Sequence, residues 1–220
     1  MIVNISKGQK HMDKVAILVD GGYYKVCFRQ KYKANPKADN VIEHCNKLMK
    51  HCFSANKELF RIFYYDCLPY DKADEHPITK QVIEYNSTPQ YEENMAFLNE
   101  LKIKPSIAFR KGLLHLNGWK LTSNALANLI HSKREIKPHD IQADFKQKRI
   151  DMKIGLDIAS LSTKRNVDTI ILVTGDTDFI PAMKFARREG VKVFINILKP
   201  DCSEDLKEHA DDVVKLKPLV

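Results

Sequence analysis

The stretch Ile170-Ile171-Leu172-Val173-Thr174-Gly175-Asp176-Thr177-Asp178-Phe179 decides the fold class of this chain. A short apolar run without polar residues is typical of a strand that is buried on both faces of a parallel sheet. After Asp178 the apolar residues follow helical spacing as far as Gly190, and Pro181 stands in the first turn, where its missing N–H costs nothing. The two carboxylates therefore lie at the carboxyl end of a strand, where open α/β sheets bind ligands.

A second stretch near the start of the chain repeats this order. Lys14–Asp20 is an apolar run that ends in a carboxylate, and Gly21-Gly22 permits a tight turn before a helix predicted at 23–32. Two such arrangements in one chain suggest that Asp20 and Asp176 contribute to a shared site. Asp176 and Asp178 repel each other unless a cation or another partner lies between them.

The rest of the chain predicts an α/β fold with a mainly parallel sheet. Further strands are predicted at 59–66, 106–110, 191–197 and 213–216, and helices at 39–53, 78–86, 90–103, 151–161 and 203–210. Lys111-Gly112 is predicted to turn the chain, so that Leu113–Leu116 returns as a hairpin arm. Residues 131–149 are rich in lysine and arginine and have no apolar period, which favours a basic loop.

Length and composition indicate one compact domain. The chain has 220 residues, of which 44% are hydrophobic, and residues 1–12 read as a tail before a single domain at 13–220. Five cysteines without a CxxC pair argue for a reducing compartment and against a disulfide framework or a zinc ribbon. No apolar run approaches the roughly 20 residues that span a bilayer, and no signal peptide is recognisable, so a soluble, cytoplasmic protein without a membrane partner is expected.

The charge balance favours a polyanionic ligand. The net charge is +8, whereas the aspartates occupy strand ends and a helix start. The alternative is an ordinary solvated basic surface, because excess charge alone is weak evidence. Lys148 and Arg149 immediately precede Asp151, and their position favours a phosphate-contacting role as much as it favours a solvated loop.

The predicted helix 151–161 carries two further acids. Asp151 stands at its N-terminus, where the helix dipole stabilises a carboxylate whatever its function. Asp157 is about 120° further round the helix, so the two aspartates are not expected to meet one ligand in the same way.

Together these motifs resemble those of the NYN domain family and its LabA-like subfamily, which have PIN-like folds. The matching residues are Val15–Asp20 with Gly21-Gly22, Lys148-Arg149-Ile150-Asp151 leading into Leu156-Asp157, Thr174–Pro181 with Ala186, Arg187 and Gly190, and the ending Ser203, Leu206, Ala210 and Asp211. The resemblance runs from about residue 13 to 216. It implies a Rossmann-like, PIN-like three-layer sandwich that hydrolyses RNA with Mg²⁺ or Mn²⁺.

The resemblance also implies roles for individual residues. Asp20, Asp151, Asp176 and Asp178 would be the catalytic metal ligands, with Asp157 as a further candidate ligand, and Lys148 would approach the phosphate. Arg149 and Tyr23 are expected to contact nucleic acid as well. Tyr23 departs from the family pattern, because many members have Asn at that position, three residues after the first aspartate.

Elementary chemistry supports a metal-dependent hydrolase and leaves two alternatives. Hard divalent cations prefer oxygen ligands, and a metal-bound water is a ready nucleophile for a phosphodiester. One alternative is an aspartate-dependent phosphatase, although Asp20-Gly21-Gly22 lacks the second acid expected after the first strand. The other is a non-catalytic nucleic-acid-binding or regulatory module. The expected partner is single-stranded or structured RNA, and homo-oligomerisation is left open.

Overall fold

The computed structural model describes residues 12–53, 57–200 and 203–218. The predicted tail at 1–11 and Cys202 lie outside these residues. The strands are β1 Asp13–Asp20, β2 Lys57–Cys67, β3 Ala73–Glu75, β4 Val82–Glu84, β5 Ile107–Leu121, β6 Ile141–Lys148, β7 Thr169–Val173, β8 Lys192–Asn196 and β9 Asp212–Val214. The helices are α1 Gly21–Tyr32, α2 Ala38–Cys52, α3 Pro89–Lys102, α4 Ser123–Ser132, α5 Ile150–Thr163, α6 Ile180–Arg188 and α7 Glu204–Glu208.

A seven-stranded sheet forms the centre of the described chain. Its strand order is β6-β5-β2-β1-β7-β8-β9, and each neighbouring pair is parallel except β5 with β6. The α/β class and the mainly parallel sheet are therefore confirmed. β1 pairs with β2 on one side and with β7 on the other, so the strand order reverses at the centre of the sheet, which is where such folds bind ligands.

Helices cover both faces of this sheet, because the central strands carry apolar side chains on both faces. Along β1, Ala16 and Leu18 belong to one core, whereas Val15, Ile17 and Val19 belong to the other. The first core also takes side chains from α5, α6 and α7, and the second takes side chains from α1, α2 and α3. The result is a three-layer sandwich, as expected for a PIN-like fold.

The hairpin predicted at Lys111-Gly112 is wrong. β5 runs without a turn through both residues, with Lys111 and Gly112 paired to β2. A Cβ atom on Gly112 would lie 2.4 Å from Cδ1 of Ile150 and 2.8 Å from Sγ of Cys67. The glycine therefore allows α5 to pack closely on the sheet and does not mark a turn.

The basic loop predicted at 131–149 is confirmed only at 133–137, between α4 and a 3₁₀ turn at Pro138–Asp140, and is wrong beyond it. Residues 141–148 form β6, which pairs antiparallel with the second half of β5. Ile141, Ala143 and Phe145 are partly buried and alternate with polar residues, of which Gln142 and Lys146 are exposed and Asp144 pairs with Lys120. This alternation is the two-residue period of a strand with one covered face, so the lack of a helical period does not indicate a loop here.

The helix predicted at 78–86 is replaced by a small hairpin. β3 and β4 pair antiparallel, and a 3₁₀ turn at Tyr85–Ser87 follows them. The ring nitrogen Nδ1 of His76 accepts the backbone N–H groups of Ile78 and Thr79 and fixes the connecting turn. Local side-chain to backbone bonds of this kind compete with helix formation.

Two smaller findings bear on the expected environment of the protein. Within the described ranges, no helix is long and apolar enough to cross a membrane. The described cysteines, which are Cys27, Cys45, Cys52 and Cys67, are all free thiols.

Candidate active site

Asp20 is the last residue of β1 and the N-cap of α1. Its Oδ1 accepts the backbone N–H of Tyr23 at 3.1 Å, which satisfies one of the free donors at the start of the helix. Burial is the largest cause that raises the pKa of the Asp20 carboxyl to about 6; the negative charges of Asp151 and Asp176 act in the same direction, and the hydrogen bond from Tyr23 opposes them. Asp20 is thus a partly buried acid that interacts electrostatically with two of the predicted site residues.

Asp176 and Asp178 follow β7 in a short 3₁₀ turn at Thr177–Phe179. Oδ1 of Asp176 accepts the backbone N–H of Asp178 at 2.9 Å, and its own N–H donates to the hydroxyl of the buried Thr174 at 3.2 Å. Phe179, which is 2% exposed, anchors the turn in the core. The backbone therefore holds Asp176 at the end of β7, while the side chain of Asp178 is exposed.

Asp151 lies in the first turn of α5 and completes the acidic group. Partial burial raises the pKa of its carboxyl, and the charges of Asp176 and Asp178 raise it further. Since Asp151 also acts on Asp20, the structure brings all four predicted carboxylates into one electrostatic neighbourhood. We refer to Asp20, Asp151, Asp176 and Asp178 as the acidic cluster.

Asp157, the further candidate ligand, is engaged elsewhere. Its Oδ2 accepts from Nε of Arg110 at 2.8 Å and from the hydroxyl of Tyr65 at 2.8 Å, and its Oδ1 accepts from the same guanidinium at 3.4 Å. An arginine that spans both oxygens neutralises the carboxylate and fixes its position. The structure therefore does not bring Asp157 into the acidic cluster.

The acidic cluster offers the oxygen donors that a hard divalent cation prefers, but its carboxylates do not converge closely on one point. Carboxylate oxygens are the donors that Mg²⁺ and Mn²⁺ prefer, and Mg²⁺ usually retains several waters, so one or two carboxylates are enough. In the described part of the chain, however, no three His, Cys, Asp or Glu side chains converge closely enough to hold a metal ion. A cation would therefore be held by few carboxylates, with water in its other positions.

Tyr23, on α1, contacts the two loops that follow β7 and β8 at this edge of the sheet. Its hydroxyl accepts the backbone N–H groups of Leu198, at 2.9 Å, and of Lys199, at 3.3 Å. A Cβ atom on Gly175 would lie 2.8 Å from Cε2 of the Tyr23 ring, so glycine is needed for this close approach. Burial raises the pKa of Tyr23 to about 12. The tyrosine is a packing element at this point, whatever further contact it makes.

Lys199 is a site residue that sequence reasoning missed. A cavity of about 440 Å³ opens beside the acidic cluster and is lined by Asp20, Tyr23, Thr174, Gly175, Asp176, Thr177 and Lys199. The ammonium of Lys199 lies 5.9 Å from the centre of the Tyr23 ring. Lys199 follows the strand predicted at 191–197. Ligands bind at the carboxyl ends of parallel strands, so the argument that selected Asp20 and Asp176 could also have selected this lysine.

Lys148 and Arg149 lie at the junction of β6 and α5, and both are exposed. Arg149 precedes α5 with φ of 72°, a left-handed conformation that few residues other than glycine adopt. The chain therefore turns sharply here and enters α5 with Asp151 in its first turn. Both cations stand next to the acidic cluster along the chain.

Comparison with protein families gives a match over slightly less than half of the chain. Residues 114–217 match the model of the NYN domain, without distinguishing a subfamily. This range includes Lys148, Asp151, Asp176 and Asp178, whereas Asp20 lies outside it.

Two proteins that are similar to the chain, a curated relative and a solved structure, are described as uncharacterized and as of unknown function. An uncharacterized protein of Methanocaldococcus jannaschii is 37% identical over 67 residues, which is 30% of this chain, and the chain spans only 28% of that relative. A protein of unknown function from Vibrio parahaemolyticus superposes with a TM-score of 0.51 at 19% identity, over 94% of each chain. At that identity the likeness concerns the fold alone.

Proposed function

We propose, from the NYN domain over residues 114–217, that the protein is a ribonuclease that depends on Mg²⁺ or Mn²⁺. NYN domains are nuclease-like domains of the PIN type. The observation that carries the proposal is that Asp20 and Asp176, which lie at the carboxyl ends of neighbouring strands, line one cavity at the point where the strand order reverses. The charges of neighbouring acids also raise the pKa values of Asp20 and Asp151, and such mutual repulsion is a frequent mark of functional sites.

The residues of the acidic cluster and the nearby lysines would have different functions in this reaction. Asp20 and Asp176, each with Oδ1 held by a backbone N–H, would present Oδ2 to the cation. Asp151, at the start of α5, and Asp178, in the 3₁₀ turn after β7, would contact its water ligands. When bound, the cation would supply a water of lowered pKa and positive charge at the leaving oxygen. Lys199 and Lys148 would bind phosphate oxygens of the RNA.

Cleavage of a labelled single-stranded RNA in Mn²⁺ and in EDTA tests this proposal. The wild-type protein should cleave only with the metal, and Asp20→Asn and Asp176→Asn should each lower the rate by orders of magnitude. Asparagine keeps the oxygen that accepts the backbone N–H in both cases, so the caps of α1 and of the 3₁₀ turn are retained. Asp144→Asn, on β6 and paired with Lys120, is the matched control and should cleave at the wild-type rate.

The same assay separates the two alternatives. A non-catalytic binding module would retain RNA in both Mn²⁺ and EDTA without cleaving it. A phosphatase would release phosphate from small phosphomonoesters and leave internal phosphodiesters intact. Wild-type activity in both acidic-cluster variants would show that these carboxylates serve the structure only.

A further inference from the structure

A second cavity, of about 390 Å³, lies on the other side of Gly22 from Asp20. Its walls come from α1, from α3, from the segment around the β3–β4 hairpin and from β6. The volume falls in the range of ordinary small-molecule sites, roughly 300–1,000 Å³. The ribonuclease proposal assigns nothing to this space.

Three aromatic rings line one side of this cavity. Tyr70, Tyr85 and Phe145 form a nearly equal triangle, with ring centroids 5.2–5.4 Å apart. All three side chains are only partly buried, so the cluster that they form is open to the cavity. We refer to these three residues as the aromatic triad. Such a surface offers aromatic edges and faces to a flat ring.

Charged and amide groups occupy the opposite side. Nζ of Lys25 forms an ion pair with Oδ2 of Asp66 at 2.6 Å, and the Asp66 side chain is only 1% exposed. The amide of Gln147 reaches the other oxygen of Asp66 at 3.5 Å. Arg29, one turn beyond Lys25 on α1, is exposed and has no ion pair with a described residue. The positive charge available to a ligand at this cavity is therefore that of Arg29.

Gly22 joins this cavity to the acidic cluster. A Cβ atom on Gly22 would lie 2.9 Å from Oε1 of Gln147 and 3.3 Å from Oδ1 of Asp20. The Gln147 amide in the wall of the cavity and the carboxylate of Asp20 thus lie close to the same point beside Gly22, with only the space of a missing side chain between them. A flexible chain could reach both places at once.

We propose that this cavity binds one unstacked base of a single-stranded nucleic acid, with an adjacent phosphate at Arg29. Bases stack readily on aromatic side chains, and only an unpaired base can leave its own stack to do so. The net charge of +8 favours an anionic ligand, and a nucleic acid combines negative charge with flat rings that can stack on the aromatic triad. Binding of the base does not require cleavage. The inference that the neighbouring phosphate lies at the acidic cluster rests on the proposed function.

Binding of a labelled single-stranded RNA in EDTA, followed by fluorescence anisotropy, tests the cavity without metal or cleavage. Phe145→Leu and Tyr85→Leu remove an aromatic ring but keep an apolar side chain, and each should weaken binding about tenfold. Trp119→Leu is the control, since Trp119 is also a partly buried aromatic residue near this hairpin but packs on His76 and does not line the cavity. It should bind as wild type does.

A base-free probe separates stacking from phosphate binding. An oligonucleotide made of abasic sites should bind wild type and Phe145→Leu equally, because no base is present to enter the cavity. Arg29→Gln should weaken the binding of both probes and lower the slope of log K against log salt by about 0.7. Equal binding of the RNA by wild type and by both triad variants would overturn the proposal.

Cross-linking of RNA to the wild-type protein tests the proposed base site even if a triad variant does not fold. RNA containing 5-iodouridine, irradiated in EDTA, should link to peptides that carry Tyr70, Tyr85 or Phe145. Links found only elsewhere would leave the aromatic triad as packing for the β3–β4 hairpin. If the wild-type protein binds the base but does not cleave RNA, only the proposed ribonuclease activity is refuted. If it cleaves RNA but forms no cross-link to the aromatic triad, only the proposed base site is refuted.

Discussion

At the scale of single residues, Asp20 carries two functions that oppose each other. As N-cap it stabilises α1 through the N–H of Tyr23, and as a partly buried carboxylate beside Asp151 and Asp176 it destabilises the folded state when charged. Its pKa of about 6 lies above the ordinary value of 3.8. The folded state therefore binds a proton more tightly at this position than the unfolded chain does.

The pH dependence of stability follows from that difference. Below about pH 4 the Asp20 carboxyl is protonated in both states and carries no penalty, whereas the penalty develops as pH rises through 3.8 to about 6. In EDTA, Asp20→Asn should therefore be more stable than wild type by roughly 1–3 kcal/mol at about pH 8, and this gain should vanish toward pH 4. Urea unfolding at both pH values measures it. A variant that is equally stable or less stable at pH 8 would show that Asp20 is satisfied in the native fold.

Asp157 and Tyr23 show how far single residues could be predicted. The position of Asp157 on its helix correctly separated it from Asp151, but its bond to Arg110 depends on a residue 47 positions away in the sequence. The contact of Tyr23 with Leu198 and Lys199 spans an even longer distance along the chain. Side-chain partners of this kind are set by tertiary packing, which local patterns do not contain.

At the scale of elements, the junction between β6 and α5 brings two cations next to an acid. Arg149 has a left-handed backbone, so replacing it with alanine would add strain to the loss of charge. Asparagine tolerates this conformation better and removes the charge. The informative variant is therefore Lys148→Gln combined with Arg149→Asn.

This double variant should bind single-stranded RNA more weakly in EDTA, with a salt slope smaller by about 0.7 for each phosphate contact that is lost. Lys133→Asn is a matched control, because Lys133 also has a positive φ, of 47°, and lies at the end of α4. The control should leave both affinity and slope unchanged. An unchanged slope in the double variant would indicate that Lys148 and Arg149 are solvated surface groups.

The central strands could be predicted, whereas the edge of the sheet could not. β7 is buried along its whole length, as is most of β1, and a continuous apolar run is the pattern that burial on both faces imposes on a strand. β6 is an edge strand with one covered face, and its alternating residues are mixed with charges that resemble a loop. From the sequence Gly112 is interpreted as a turn residue, because its actual function, to allow the close approach of Ile150, depends on a contact that the sequence does not show.

At the scale of the whole molecule, a basic protein concentrates several carboxylates at one point. The chain carries a net charge of +8, yet the strand ends nearest the reversal of strand order hold Asp20 and Asp176. Positive charge over the surface attracts a polyanion, and the acidic cluster repels it unless a cation is bound. The proposed function therefore predicts that a bound cation strengthens the binding of nucleic acid at the acidic cluster.

Thermal unfolding in Mn²⁺ and in EDTA tests the metal site most directly, because it needs no knowledge of the substrate. A cation that binds only the folded state stabilises it by about 2.7 kcal/mol at a hundredfold excess over its dissociation constant. Wild type should therefore melt higher in Mn²⁺ than in EDTA.

Asp176→Asn should melt above wild type in EDTA, because one repelling charge is gone, and should gain little from Mn²⁺. Asp157→Asn should melt lower in both and keep the full Mn²⁺ response, since its carboxylate pairs with Arg110. If Asp176→Asn is neutral or destabilised in EDTA and responds to Mn²⁺ as wild type does, the acidic cluster is not a metal site, and the proposed ribonuclease loses its basis.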